Sequence, residues 1–219
     1  MKNGWSIFRR PHPRLKDLKD AKMRRILISC NIFQEEMEHI LSRNPNFEVE
    51  TIWLRSGLHG DFNLMEKSVK EALKAAAGAE TGLRLVLGSG CLPQLPELIG
   101  NIPILPVKNC LGAMVGEERL LELEKDRTLV VTPAWIRKIW FAEDGLRGLF
   151  GWDDADFRIN FGRYDRILVL DAGLSPLADE EILETFDIIQ VPIESEPFSL
   201  DHYEKVFLNL LERQPMNTI

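Results

Sequence analysis

Three cysteines and one histidine, Cys30, His59, Cys91 and Cys110, are the residues of this chain whose types could do chemistry together. Thiolate sulfur and imidazole nitrogen suit tetrahedral zinc, and the same Cys3His set could hold an iron–sulfur cluster with one histidine ligand. None of the cysteines forms the local C-x-x-C pair of a zinc ribbon, so the argument rests on position. Cys30 ends Leu27-Ile28-Ser29-Cys30, Cys91 follows Leu87-Gly88-Ser89-Gly90, Cys110 follows Pro106-Val107-Lys108-Asn109, and His59 lies in Gly57-Leu58-His59-Gly60. Each falls just past a β-rich run, and the carboxyl edge of an open parallel sheet is where ligands bind, so the four are expected to meet. The competing expectation is that each cysteine is a small buried hydrophobe at a strand top and His59 an ordinary loop residue. Helix starts after Cys30 and Cys110 are expected to favour thiolate, while Gly88 and Gly90 let backbone approach a bound group.

The scaffold that must position these residues is legible as alternation. From Arg24 onward short β-rich runs alternate with segments of helical period, the mark of a parallel α/β sheet. The runs are Arg25 to Cys30, Phe47 to Leu54, Leu83 to Gly88, Ile102 to Val107, Thr128 to Thr132, Arg166 to Asp171 and Ile188 to Pro192. Several are continuously apolar, as strands covered on both faces must be. Helices are expected over Ile32 to Ser42, Asn63 to Ala77, Gly112 to Lys125, Asp179 to Phe186 and Leu200 to Arg213, the last introduced by Ser199 as N-cap. The expected fold is a three-layer α/β/α domain over residues 24–219, Rossmann-like or flavodoxin-like, with a mostly parallel sheet of about seven strands. Residues 134–164, with Trp135, Trp140 and Trp152, exceed an ordinary crossover and read as an insertion for binding or for a homo-oligomer contact.

Composition narrows the function classes. With 219 residues, 45% hydrophobic and 28% charged, the chain can bury a full core. It has no apolar run near the roughly 18 to 20 residues a bilayer span needs. The opening residues lack the apolar stretch of a secretory signal, so a cytoplasmic location with reduced cysteines is expected. Residues 1–25 hold nine Lys/Arg against two Asp/Glu, whereas the remainder holds 18 against 32. The acidic body and the lack of a recognition motif argue against nucleic acid as partner, and residues 1–23 read as a basic arm that folds back or stays mobile. There is no phosphate-loop motif, no G-x-S-x-G elbow and no H-E-x-x-H, and Gly88-Ser-Gly-Cys-Leu-Pro lacks the third glycine of a dinucleotide fingerprint.

Three further residues are candidates around the same edge. Gly90 permits close approach of a bound group, and Trp135 could cover a flat cofactor, although of Trp135 and Trp140 one is expected in the core. Asp171 could act as a base or partner there, against the commoner role of capping its own turn. Glu35, Glu36 and Glu38 read as a solvated helix face, with Glu35 kept as an acid/base candidate for its nearness to Cys30.

The order Ile28-Ser29-Cys30, Leu58-His59, Gly90-Cys91, Asn109-Cys110 followed by Gly116, and Thr132-Pro133-Ala134-Trp135 resembles the family catalogued as domain of unknown function 1638, over roughly residues 24 to 212. The resemblance places that family's Cys/His positions on Cys30, His59, Cys91 and Cys110. Ser89-Gly90 replaces its tyrosine-containing turn, Asn109 its usual Asp, and Ala134 its usual Gly. It also implies a setting beside corrinoid-dependent methyl transfer, with a corrinoid protein or methyltransferase as partner. Two functions stay open on the residues: a zinc or iron–sulfur protein, structural or reactive, and a metal-free module that binds a small ligand or partner around a structural cysteine core.

Overall fold

The computed structural model describes residues 23–78 and 82–213 of the chain. The basic arm expected over residues 1–23 lies, Met23 apart, outside them. In order come β1 (Met23–Cys30), α1 (Gln34–Arg43), β2 (Phe47–Leu54), α2 (Phe62–Ala75), β3 (Leu83–Val86), α3 (Leu95–Ile99), α4 (Cys110–Val115) and α5 (Glu117–Leu123). The second half holds β4 (Thr128–Val131), α6 (Pro133–Trp135), α7 (Leu146–Leu149), α8 (Asp154–Phe161), β5 (Arg166–Asp171), α9 (Asp179–Ile189), β6 (Ile193–Pro197) and α10 (Asp201–Glu212).

The α/β class is as expected, but the strands do not form one sheet of seven. Among the described residues they make two parallel three-stranded sheets, ordered β2-β1-β3 and β4-β5-β6. The run Ile102 to Val107 touches the first sheet through a single parallel bridge, Leu85 to Ile104. Pro103 and Pro106 have no N–H to give to a ladder, which keeps this run from becoming a full strand. The last strand lies at Ile193–Pro197 instead of Ile188 to Pro192, because Thr185, Ile188 and Ile189 form the buried stripe of α9, which runs on to Ile189. As an edge strand, β6 exposes Glu194 and Ser195. The helix expected over Gly112 to Lys125 is broken at Gly116, whose φ of +86° suits only glycine well.

Leu27 and Ile28 of β1 are both fully buried although they point to opposite faces, so the strand is covered on both sides. One core joins Leu27 and Val86 of the first sheet to Val131, Ile167 and Val169 of the second, with Tyr203, Phe207, Leu210 and Leu211 of α10. The C-terminal helix is fastened to the first sheet by two arginines. Arg25 Nε donates to the Leu211 carbonyl at 2.7 Å, and the fully buried Arg84 donates to the carbonyls of Leu210, Leu83 and Arg213. Cationic groups on the last carbonyls of a helix complement its dipole. These contacts bring Tyr203, near the chain's end, back beside the end of β1.

The segment 134–164 packs its aromatics on one another. Trp140 is fully buried, with the Phe161 ring 4.8 Å and the Phe157 ring 6.4 Å away, while Trp135 and Trp152 are partly buried. Ser199 does accept from the first turn of α10, at Asp201 N, although Leu200 holds the capping position. No helix among the described residues is long and apolar enough to cross a membrane.

Candidate functional site

In the order β2-β1-β3 the chain leaves β1 toward β2 and leaves β3 toward the Ile104 bridge on the other side, so the gap beyond the ends of β1 and β3 is the switch point where such sheets leave room for a ligand. Cys30 is the last residue of β1, and Cys91 closes the turn after β3. Cys110 opens α4, where the Asn109 side chain caps by accepting from Gly112 N at 2.8 Å. That turn is sewn to the segment before α4: Ser89 N donates to the Val107 carbonyl at 2.9 Å and Gly90 N to the Lys108 carbonyl at 2.8 Å. A Cβ on Gly88 would lie 2.3 Å from the Lys108 carbonyl oxygen, and one on Gly90 2.9 Å from it. The space beside Gly90, expected to admit a bound group, is thus filled by the chain's own backbone. Both glycines serve to bring Cys91 toward Cys110.

All three cysteines are free thiols in partly buried residues, and each is close enough to another to affect its ionisation. Burial pushes the Cys30 thiol up to about 12, with the Cys91 thiol adding to the rise. Burial raises Cys91, and burial followed by the charges of Cys30 and Cys91 raises Cys110 furthest. Backbone N–H groups of Ile32, Gly88 and Leu111 face Cys30, Cys91 and Cys110 respectively and pull the other way. The thiolate-favouring backbone expected at Cys30 and Cys110 is present, then, but desolvation outweighs it and leaves neutral thiols.

Lys138 brings a positive charge to this edge from the second half. Its Nζ donates to the Asn31 carbonyl at 2.9 Å, and it sits in a π-type turn over Ile136–Trp140. Asn31 Oδ1 also accepts from Ser56 N at 2.7 Å, and the Ser56 hydroxyl donates to the Lys138 carbonyl at 3.2 Å. The loops after β1 and β2 and the turn after α6 are therefore one hydrogen-bonded knot. His59 occupies the short turn Leu58–Gly60 that follows β2, and its side chain lies outside the described residues.

Two buried polar groups lie behind the thiols. Glu36 of α1 is 7% exposed and Tyr203 is fully buried, and neither Glu36 Oε2 nor the Tyr203 hydroxyl has a hydrogen-bond partner. Burial holds the Glu36 carboxyl up near 7 against the opposing pull of its own backbone N–H. Of the three glutamates read as a solvated face, only Glu38 is exposed. Glu36 shares the buried stripe with Phe33, Met37 and Ile40, and that spacing from Phe33 and Ile40 is the signal that could have found it. Tyr203 stands four residues before Phe207 on the apolar face of α10 and had the same signal.

The other candidates have their own partners. Asp171 Oδ1 accepts from Gly173 N at 2.7 Å and so caps its own turn. It lines a crevice of about 10 Å³ with Glu35, Glu36 and Ala134, room for about one water. The Trp135 backbone N–H donates to the Thr132 hydroxyl at 3.3 Å, and its partly buried ring packs on the core. A larger apolar groove of about 510 Å³ runs between α3 and Ile102–Ile104 and reaches the thiol turn only at Ser89. Among the described residues no group of three or more His, Cys, Asp or Glu is placed to hold one metal ion.

A family model described as protein of unknown function (DUF1638) matches residues 53–207. The matched span begins within β2, so it includes His59, Cys91 and Cys110 and leaves out Cys30, narrower than the resemblance over 24 to 212. No curated protein and no solved structure matches the chain.

Proposed function

The chain belongs to the family of unknown function DUF1638, and we propose that it is a metal-binding protein whose Cys30, Cys91 and Cys110, with His59, hold an iron–sulfur cluster at the carboxyl edge of the first sheet. The observation that carries this reading is the convergence of three thiols from distant segments, near enough to raise one another's ionisation and each faced by a backbone N–H. Hydrogen bonds to sulfur and exclusion of water are what tune a thiolate-bound cluster. A tetrahedral zinc with bonds of about 2.3 Å needs sulfurs only about 3.8 Å apart. Thiolates on a cluster bind different iron atoms and so hold their sulfurs farther apart than that. Such a cluster would supply one-electron transfer, while zinc at the same residues would supply a Lewis acid or a structural staple. The partner in this reading is a corrinoid protein or methyltransferase, which rests on the family resemblance alone.

Metal and acid-labile sulfide analysis of protein purified without oxygen, with a visible spectrum, tests the reading. Iron with sulfide and a broad visible absorbance are expected, and Cys91→Ser is expected to abolish stoichiometric metal. Retention of metal by that variant overturns the ligand set. Zinc alone would replace the cluster by a structural or Lewis-acid site, and a metal-free wild type would leave the binding module with a cysteine core. Because neutral thiols must each lose a proton to bind, apparent affinity should climb steeply with pH, by up to about a thousandfold per unit for three ligands. Mixing the reduced protein with a cob(II)alamin-bearing protein and following the corrinoid absorbance tests the partner, and an unchanged spectrum removes it.

A further inference from the structure

The groove of about 510 Å³ beside the first sheet is not used by the thiols, and its lining has a chemistry of its own. Leu95 and Ile99 of α3 line it on one side, and Ile102 and Ile104 of the run that bridges to β3 on the other. Leu95 and Ile99 are buried, whereas Ile102 and Ile104 are only half-buried, so apolar surface is left wet along the trough. Arg213 is the one charged side chain among the described residues that line it. Its Nε donates to the Asn209 amide oxygen at 3.3 Å, and no carboxylate among the described residues pairs with it. Hydrogen bonds fix where the lining begins and stops. The Arg213 carbonyl accepts from Arg84 near the start of β3, while Ser89, whose N–H donates to the Val107 carbonyl at 2.9 Å, lies past that strand's end. Arg84 and Ser89 stand five residues apart on extended chain, a span of about 16 Å. The groove thus follows β3, with a cation at the strand's start and the thiol turn at its end.

The geometry points to a binding site for a long unbranched carboxylate, its head paired with the Arg213 guanidinium and its alkyl chain lying between α3 and Ile102–Ile104 with the far end toward Ser89. A volume of about 510 Å³ with an apolar lining and few polar groups is that of a small-molecule site. The alkyl chain supplies the affinity by taking the half-buried isoleucines out of water. The guanidinium supplies the selectivity, because its planar fork of N–H donors matches a carboxylate and repels a cationic head. Dodecanoate, fully extended, is about as long as the interval from Arg84 to Ser89. The site does not depend on metal at the cysteines.

The test titrates the full chain by calorimetry with dodecanoate and with dodecyltrimethylammonium, each below the concentration at which it forms micelles. Saturable one-to-one binding of dodecanoate is expected, with the cationic amphiphile at least about tenfold weaker. Arg213→Gln should weaken dodecanoate about tenfold and leave the cationic amphiphile no weaker than before. That side chain is exposed and the carbonyl held by Arg84 is kept, so the variant folds. Ile102→Trp should fill the trough and abolish dodecanoate binding, and should it fail to fold, Arg213→Gln still decides. No saturable binding, equal affinity for the two heads, or Arg213→Gln binding dodecanoate like wild type overturns the proposal. A chain ending at Arg213 that binds dodecanoate where the full chain does not would give the groove to residues 214–219 and overturn it too. Metal content should be the same in wild type and Arg213→Gln, so the outcome is separate from that of the cysteine reading.

Discussion

The carboxyl edges of the two sheets are built from similar parts and left in opposite states. On the second edge Asp171 caps its turn and Thr132 accepts from Trp135 N, although the buried Trp140 Nε1 of the turn that follows has no partner. Arg137 there forms a two-pronged pair with Glu181 at 2.6 and 2.7 Å while also donating to Ser175 and Pro176. On the first edge three thiols are desolvated, and the buried Glu36 Oε2 and Tyr203 hydroxyl lack partners. Orphaned buried groups cost stability, so the first edge carries a burden that the hydrogen bonds of Asp171, Thr132 and Arg137 spare the second.

The contrast breaks most sharply at glycine. Gly88→Ala would set a methyl 2.3 Å from the Lys108 carbonyl oxygen and 2.8 Å from Asn109 N, backbone atoms that cannot turn aside. A loss of roughly 3 kcal/mol is expected in denaturant unfolding, together with loss of metal uptake as Cys91 separates from Cys110. Gly173 on the second edge, at φ +73° with nothing within 4 Å of an added Cβ, is strained but unobstructed. There Gly173→Ala should cost about 1 kcal/mol and leave metal uptake unchanged. Equal costs at the two glycines would contradict the picture of a first edge built by close backbone approach.

Glu36 gives the next effect, and it depends on pH. Its carboxyl rises from an ordinary 4.5 to about 7 on folding, with burial the main cause. Between those values the folded chain binds more protons than the unfolded one, so Glu36 lowers stability as pH rises through that window. Glu36→Gln removes the penalty. Relative to wild type, the variant should gain roughly 3 kcal/mol between pH 4 and pH 8 in paired denaturant melts. A gain independent of pH would mean that the Glu36 carboxyl titrates alike in the folded and the unfolded chain.

What the sequence disclosed of this site and what it hid divide along a physical line. The ends of β1 and β3 are legible because apolar runs stop where Cys30 and the Gly88-Ser-Gly turn begin, and the runs over Phe47–Leu54 and Arg166–Asp171 match their strands end to end. The split into two sheets is not legible, since every strand carries the same local pattern whichever neighbour it pairs with. Proline at 103 and 106 was the available sign that the fourth run would not complete the ladder. Tyr203 and Lys138 escape notice because their importance comes from the packing of α10 and of the turn after α6 onto a distant strand end. Nothing within a few residues of either one records that contact.

The smallest effect belongs to the closed edge. Arg137 holds the Glu181 carboxyl down to about 2, chiefly through their hydrogen bonds. A carboxyl lowered from 4.5 contributes stability that is present above that value and is lost as pH falls toward 2. The Glu181 side chain is 35% exposed and that of Arg137 30%, so solvent screens the pair and its worth is about 1 kcal/mol or less. Glu181→Gln should therefore cost that much at pH 7 and nothing at pH 2, with metal content the same as in wild type. Glu36→Gln runs the other way, its advantage growing with pH, because one carboxyl is held ionised by its partner and the other is pushed toward its neutral form by burial. A Glu181→Gln variant that lost metal would tie the second edge to the thiols and remove the contrast between the two edges.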